Sequence, residues 1–195
     1  MGRQCYTARM IVGIDEVGRG CWAGPVVAGA VLLPEPNTIP GLKDSKKLSK
    51  KQREKLDAEI RVGAASYGIG WVSAEELDEI GLTAAVGLAM HRALEQVRGN
   101  YSKIVVDGNY NYLADNPQAE TLVGADNLVP AVSAASIIAK VARDRFMADA
   151  AVQYPGYGFE AHVGYGTAAH LLALKQQGLC ILHRRSFKPI QAYII

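Results

Sequence analysis

The sequence has few cysteines, and they are scattered. Three occur among 195 residues, at Cys5, Cys21 and Cys180, and no two form a CxxC pair. An odd number of widely spaced thiols argues against a disulfide framework and against a structural zinc site. Because this usage is typical of a reducing compartment, we expect a cytoplasmic protein.

Long apolar runs are also missing. No stretch approaches the run of about 18 apolar residues that suggests a membrane-spanning helix, and Met1–Arg9 lacks the apolar part of a secretory signal. Hydrophobic residues make up 49% of the chain and charged residues 21%, which is typical of a globular protein that can bury a core. We therefore expect one domain over residues 1–195 and no membrane partner.

Acidic residues are absent from Ala161 to Ile195, where Lys175, Arg184, Arg185 and Lys188 give a formal charge of +4. A second basic segment, Lys43–Lys55, has seven basic and two acidic residues. The whole chain carries only +2, so the remainder is acidic. This distribution indicates a polyanionic partner held at defined places, although a solvated lysine-rich face would explain Lys43–Lys55 equally well.

Hydrophobic periodicity predicts an α/β protein with a sheet of mixed direction. The predicted strands are Arg9–Ile14, Val26–Leu33, Ala64–Val72, Ile104–Val106 and Glu120–Val123. The predicted helices are Lys50–Arg61 (with a capping box from Ser49 and Gln52), a segment after Thr83 that buries Val86, Met90, Leu94 and Val97, Ser133–Val152, and Thr167–Gln177. In the Ser133–Val152 helix, we expect Ile138, Val141, Ala142 and Phe146 on one buried face.

Four acidic residues stand at or after predicted strand ends. Asp15 and Glu16 follow the first strand, Asp107 follows the fourth, and Asp126 lies in a loop after the last. Functional groups of open α/β sheets gather beyond strand ends, so adjacent first and fourth strands would bring Asp15 and Asp107 face to face. The alternative is that each acid is a turn residue or a helix cap, the commoner role for a single aspartate.

Such a cluster requires cations. Two unit charges about 4 Å apart repel by about 4 kcal/mol at an effective dielectric constant near 20. Mg²⁺ and Mn²⁺ prefer oxygen ligands and reverse the sign of this interaction. Two such ions about 3.5–4 Å apart can activate a water and stabilise the leaving oxygen of a phosphodiester. The cluster therefore predicts phosphoryl chemistry.

A glycine-flanked turn, Gly18-Arg19-Gly20, follows the Asp-Glu pair. Glycines let a backbone approach a ligand closely, and Arg19 could contact a phosphate or anchor the loop. The turn lacks the Lys-Ser or Lys-Thr of a Walker loop and does not form a GxGxxG run. Taken alone, it is equally consistent with a plain tight turn.

Six further segments follow one another over about residues 11 to 190: Gly13–Gly20 with Ala23–Pro25, Asp44–Leu48, Val106–Gly108, Ser133–Ser136 with Ala139 and Lys140, Gly164–Thr167, and His183–Phe187. In this order they resemble the motifs of bacterial ribonuclease HII. The resemblance implies a ribonuclease H-like fold, with a central mixed five-stranded sheet flanked by helices. It also implies a small helical C-terminal part, residues 153–195, that completes the substrate site.

The resemblance implies a catalytic and metal-binding set of Asp15, Glu16, Asp107 and Asp126, loaded with two Mg²⁺ or Mn²⁺ ions. Asp126 is placed by its distance ahead of the Ser133–Ser136 run. Asp115 or Asp144 would replace it if that placement is wrong.

The resemblance also implies substrate contacts. The backbone of Gly18, Arg19 and Gly20 would contact the ribose 2′-hydroxyl, which both donates and accepts hydrogen bonds and distinguishes RNA from DNA. Tyr165 would pack on the next sugar, unless it is a core tyrosine, and Lys46 would contact phosphate. Arg184 and Arg185 can also hold phosphates without reading sequence. His183 either assists the reaction or makes a structural or phosphate contact, and Cys21 has no assigned role.

Ribonuclease HIII is related but has lysine in this turn, glutamate as the fourth acid and an additional N-terminal domain, so Arg19 and Asp126 favour type HII. Only Pro189–Ile195 follow Lys188, so we expect no long C-terminal substrate-binding extension. The implied activity is hydrolysis of RNA in RNA–DNA hybrids and incision 5′ of ribonucleotides in duplex DNA. A monomer would carry it out, leaving a 3′-hydroxyl and a 5′-phosphate. Alternatives are a junction resolvase of the same superfold, a non-catalytic hybrid-binding module and a structural domain.

Overall fold

The computed structural model describes residues 9–37 and 39–194. Its strands are β1 (Arg9–Val17), β2 (Val26–Glu35), β3 (Ser66–Val72), β4 (Lys103–Asp107) and β5 (Ala119–Leu122). A 3-10 helix covers Ser45–Lys47, and the α-helices are α1 (Lys50–Gly63), α2 (Ala74–Ile80), α3 (Leu82–Leu94), α4 (Ala125–Leu128), α5 (Pro130–Gln153), α6 (Phe159–His162), α7 (Ala168–Gln177) and α8 (Lys188–Gln191). The expectations for the first eight residues, including Cys5, lie outside the described residues.

The five strands form one sheet in the order β3-β2-β1-β4-β5. β1, β2 and β3 pair in antiparallel fashion, whereas β4 and β5 run parallel to β1, so the predicted mixed sheet is confirmed. β1 continues past the predicted end at Ile14, because Asp15 and Glu16 pair with Gly29 and Ala28 of β2.

Helices cover both faces of the sheet. α3 packs on one face in a cluster with Val12, Ile14 and Val106, and α5 packs on the other. Gly13 makes the second contact possible, because a Cβ there would lie 2.1 Å from the backbone of Ala131 in α5. The sheet and α5 therefore approach closely at the part of β1 that leads to Asp15.

The predicted helices all occur, with shifted ends. α1 begins with the predicted capping box of Ser49 and Gln52, and α7 ends at Gly178. α2, which has its own capping box from Ser73 and Glu76, was not predicted. Among residues 9–37 and 39–194, none of the helices combines the length and apolarity needed to cross a bilayer.

The expected buried face of α5 is wrong at its C-terminal half. Phe146 is 36% exposed and lies against Trp71 at the rim of the sheet, with ring centroids 5.8 Å apart. Met147 is buried instead, in a third cluster that includes Ala23 and Phe159. In this half of α5 the buried side chains face the C-terminal segment. The predicted single buried face along the helix did not include this change of direction.

Candidate active site

The three aspartates of the candidate site come from three places in the chain. β1 and β4 are parallel neighbours with Ile14 opposite Val106, so the following residues, Asp15 and Asp107, stand side by side. Asp126 lies in α4, the short helix that follows β5. One carboxylate oxygen from each of the three lies within 4.8 Å of the others. The predicted meeting of Asp15, Asp107 and Asp126 is therefore what the structure shows.

Backbone hydrogen bonds fix two of these carboxylates. Asp15 Oδ1 accepts from the Glu16 N–H at 2.8 Å, and Asp107 Oδ1 accepts from the Ala125 N–H at 2.8 Å. The second bond ties the end of β4 to the start of α4, the helix that carries Asp126. Asp107 is thus positioned relative to Asp126 by its bond to Ala125, the residue that precedes Asp126.

Asp126 is further held by its neighbours. The Ser133 hydroxyl of α5 donates to the Asp126 carbonyl at 2.7 Å, and the Asn127 amide donates to Asp126 Oδ1 at 2.8 Å. The two fallback acids lie elsewhere. Asp115 is exposed and 3.7 Å from His91, whereas Asp144 pairs with Lys140 at 2.7 Å. Of the three choices, Asp126 is the one that joins the cluster.

Glu16 stands at the edge of the cluster rather than within the 4.8 Å group. Its carboxylate is partly exposed and lies 4.0 Å from the Arg19 guanidinium. The negative charge of Asp107 nevertheless raises the pKa of Glu16, after the larger effect of burial. Glu16 is therefore close enough to share the field of the cluster.

The site concentrates negative charge in a buried crevice. Burial, followed by the charges of Glu16 and Asp107, raises the pKa of Asp15 to about 8, although a hydrogen bond from Ser136 opposes the shift. Burial and the charge of Asp107 also raise the pKa of Asp126. Carboxylate oxygens are the ligands that hard divalent cations prefer, so this donor set fits Mg²⁺ or Mn²⁺.

Residues not singled out from the sequence support the cluster. Asp44 is buried, caps the 3-10 helix by accepting from the Lys46 N–H at 2.9 Å, and acts on Asp126 through charge and a hydrogen bond. The hydroxyls of Ser45 and Ser136 lie 2.9 Å apart in the interior, and Ser136 also bonds to Asp15. Ser45 belongs to the Asp44–Leu48 motif and Ser136 to the Ser133–Ser136 motif. Of these residues, only Lys46 was predicted to have a role.

The two glycines of the turn differ. Gly18 has φ of +90°, and a Cβ there would lie 2.3 Å from Arg143 Nε, so the interior of the protein requires glycine. Around Gly20, no other described residue comes within 4 Å of an added Cβ. Gly20 therefore leaves open space on the outer side of the turn.

Two buried arginines brace this turn from below. Arg143 of α5 donates to the carbonyls of Pro25, Ala23 and Val163 at 2.8–3.1 Å. Arg184 donates to the carbonyls of Gly24 and Arg19 at 3.0 Å each. Arg184 is completely buried, so the expected direct contact with phosphate does not agree with its position. Its contacts shape the turn instead.

The remaining predicted substrate residues are exposed. Tyr165 is 43% exposed, so it is not a core tyrosine, and its hydroxyl bonds to Cys21, which therefore has a structural partner. Lys46 and Arg185 have exposed side chains. The charge of Lys46 acts on the carboxylates of the cluster and on Tyr165, so Lys46 lies near both. His183 is buried, which favours its structural interpretation.

The fold is shared with known nucleases. The ribonuclease H2 of Pyrococcus horikoshii OT3 superposes with a TM-score of 0.81 at 29% identity, over 94% of this chain and 96% of that one. The RNase HII of Archaeoglobus fulgidus, solved in complex with PCNA, superposes with a TM-score of 0.73 at 29% identity, over 92% and 95%. Fold and acidic cluster together define a metal-dependent ribonuclease with a ribonuclease H-like fold.

Sequence comparison makes the assignment specific. The ribonuclease HII family model matches residues 12–190. A ribonuclease HII from Polaromonas sp. (strain JS666) is 50% identical over 185 residues, which cover 94% of this chain and 92% of that protein. The chain belongs to the ribonuclease HII family. It is an endoribonuclease that acts on RNA–DNA hybrids and depends on divalent metal ions.

Proposed function

We propose that this ribonuclease, besides cutting the RNA strand of hybrids, incises duplex DNA on the 5′ side of single embedded ribonucleotides and leaves a 3′-hydroxyl and a 5′-phosphate. The observation that carries the proposal is the three-aspartate cluster joined in sequence to a turn that has free space at Gly20 and whose Arg19 lies 4.0 Å from Glu16, the neighbour of Asp15. A site that detects one 2′-hydroxyl needs such close backbone approach, because the rest of the duplex is DNA.

Asp15, Asp107 and Asp126 would hold the divalent cations, Mg²⁺ or Mn²⁺ and two during catalysis, with Glu16 completing the set from the edge. When bound, two such ions supply an activated water and stabilise the leaving oxygen of the phosphodiester. Backbone contacts support this set, because β1 and β4 carry Asp15 and Asp107 side by side and the Ala125 N–H at the start of α4 bonds to Asp107. This arrangement lowers the cost of ordering the ligands.

The substrate would lie across the turn. In the proposal the backbone of Gly18, Arg19 and Gly20 bonds to the 2′-hydroxyl, and Tyr165 packs on the adjacent sugar. Lys46 and Arg185 would neutralise phosphates in a salt-sensitive way. Arg184 acts indirectly, through the carbonyl of Arg19 that it holds.

The C-terminal portion, residues 153–195, would then complete the substrate site of a single catalytic domain, since it supplies Tyr165 and Arg185. We further propose that the protein works as a cytoplasmic monomer. The buried arginines join this portion to the loop between β1 and β2, because Arg143 of α5 bonds both to Ala23 and to Val163, and Arg184 bonds to Gly24 and Arg19.

The test uses three duplexes: one with a single ribonucleotide, one all-DNA, and one RNA–DNA hybrid. Wild type should cut the first and third with Mg²⁺ or Mn²⁺ and neither with chelator, whereas Asp15→Asn should cut none. Asp115→Asn, at an exposed acid outside the cluster, is the matched control and should cut like wild type. Comparable cutting of the all-DNA duplex, or of a four-way DNA junction, would overturn the proposal.

A further inference from the structure

Three of the four histidines of the chain gather beneath Tyr165. His162 of α6, His170 of α7 and His183 of the following loop are all buried. The rings of His162 and His170 stack with centroids 4.5 Å apart, and Trp22, Tyr157 and Phe159 surround the group. None of the three histidines belongs to the aspartate cluster.

The Tyr165 carbonyl sets the direction of the hydrogen bonds of His170 and His183 when both rings are neutral. His170 Nδ1 lies 3.0 Å from the Tyr165 carbonyl, which can only accept, so Nδ1 carries the proton. In a neutral ring His170 Nε2 is then an acceptor, and its partner, His183 Nε2 at 3.0 Å, must donate. His183 Nδ1 is left to accept, and it does so from the Cys180 N–H at 2.9 Å; the Cys180 carbonyl, 3.2 Å away, could be its partner only if Nδ1 carried a proton.

His162 holds the other side of the same loop. Its Nε2 lies 2.8 Å from the Tyr157 carbonyl and must donate, which leaves Nδ1 to accept from the Gly164 N–H at 3.2 Å. The segment that carries Tyr165 is therefore bonded to a histidine ring at both Gly164 and Tyr165. The preceding residue, Val163, has φ of 43°, a position that costs energy for a β-branched side chain and needs such support.

The chain of bonds depends on neutral rings. A proton added to His170 would place two N–H groups face to face across the 3.0 Å contact, whereas a proton added to His183 Nδ1 would turn that atom from the Cys180 N–H to the Cys180 carbonyl. Burial lowers the pKa of His170 and lowers that of His183 to about 4, which keeps the rings neutral near pH 7.

The other titratable groups around His170 and His183 have their own partners and do not reverse the direction of the hydrogen bonds between the two rings. Tyr157 donates its hydroxyl to the Gly178 carbonyl, and the Cys180 sulfur lies 3.3 Å from His183 Nδ1. The cations Arg143 and Arg184 direct their bonds to backbone carbonyls of the turn and of Val163.

We propose that the hydrogen-bonded pair His170–His183 is a positioning device, which holds the Tyr165 backbone at the substrate site in one pair of tautomers and only while His170 is neutral. The proposal rests on the proposed function in one respect, the role of Tyr165. Neither histidine touches the aspartates, so neither is a catalytic residue.

The first test does not involve activity. ¹⁵N-histidine NMR of the wild-type protein at pH 7 should show the proton on Nδ1 in His170 and on Nε2 in His162 and His183, with the partly exposed His91 as a reference ring. The same pattern should persist at pH 6. A proton on Nε2 of His170, whether in the other neutral tautomer or in a protonated ring at pH 6, would overturn the proposal whatever role Tyr165 has.

The second test separates positioning from packing. Asparagine at 170 can place its amide N–H where Nδ1 was, whereas glutamine reaches toward the Nε2 position and loses the bond to Tyr165. His170→Gln should raise KM for the single-ribonucleotide duplex about tenfold with little change in kcat, and His170→Asn should raise it about threefold or less. Equal effects of the two variants would contradict positioning through the Tyr165 carbonyl.

The third test uses Tyr165→Ala as background. If His170 acts through Tyr165, His170→Gln should change KM in the Tyr165→Ala background by about twofold or less, because the contact between the Tyr165 side chain and the substrate is already lost. A full tenfold change in that background would refute the proposal. Wild-type behaviour of Tyr165→Ala alone, with the expected tautomers, would instead refute the assigned role of Tyr165 and leave the histidine chain standing.

Discussion

In metal-free protein, replacing Asp15 with asparagine should increase stability at alkaline pH. Burial and the neighbouring acids raise the pKa of Asp15 from 3.8 to about 8. The folded protein therefore retains a proton that the unfolded chain has released. The stability linked to this proton is fully present below pH 3.8 and is lost as pH rises through about 8. Asparagine carries no charge at any pH and escapes this loss.

The magnitude follows from the same shift. Each pH unit between the two pKa values removes about 1.4 kcal/mol, which sets a ceiling of about 6 kcal/mol above pH 8. Water entry and relaxation reduce such penalties, so we expect Asp15→Asn to gain about 2 kcal/mol at pH 8.5, or about 4–8 °C in Tm. At pH 4 the two proteins should differ little.

Thermal unfolding in chelator at pH 4 and pH 8.5 provides the assay, with Asp115→Asn as the exposed control. Mg²⁺ at pH 8.5 should raise the Tm of wild type and leave that of Asp15→Asn nearly unchanged. If the variant is less stable than wild type in chelator at pH 8.5, the argument that the ionised Asp15 carboxylate destabilises the metal-free fold is refuted.

Three further predictions concern the turn and its supports. Gly20→Ala should leave the Tm unchanged and raise KM at least tenfold, because its Cβ would enter the space proposed for the substrate. Gly18→Ala should lower the free energy of unfolding, measured in urea, by about 2 kcal/mol or more, because its Cβ would clash with Arg143. Lys46→Gln should weaken binding of every duplex alike and reduce the slope of log affinity against log salt by about 0.9, measured by fluorescence anisotropy. Arg184→Met should lower the free energy of unfolding by about 2 kcal/mol or more, since two carbonyls lose their donor, whereas Arg185→Gln should leave stability within about 0.5 kcal/mol.

The sheet and two of its aspartates were predictable because their signals are local. A buried run that ends in acidic residues identifies β1 and β4, and parallel neighbours deliver their next residues to one place. Asp126 was harder to place from the residues alone, because α4 is a single turn without periodicity. Its position in the cluster depends on the bond from Ala125 to Asp107, which only the folded chain makes.

The buried cations and histidines could not be predicted in the same way. Arginines are mostly exposed, so the default interpretation of Arg184 is a surface contact. Its burial depends on carbonyls of the distant Gly18–Pro25 loop, which the pattern around Arg184 does not indicate. The three clustered histidines likewise come from α6, α7 and a loop, and no spacing along the chain relates them.

Anomalous diffraction from crystals soaked in Mn²⁺ tests the central claim most directly. We expect a manganese peak within coordinating distance of carboxylate oxygens of Asp15, Asp107 and Asp126, and its absence from crystals of Asp15→Asn. A peak bound elsewhere, with these three carboxylates free of metal at saturating Mn²⁺, would contradict the assignment of this crevice as the metal centre.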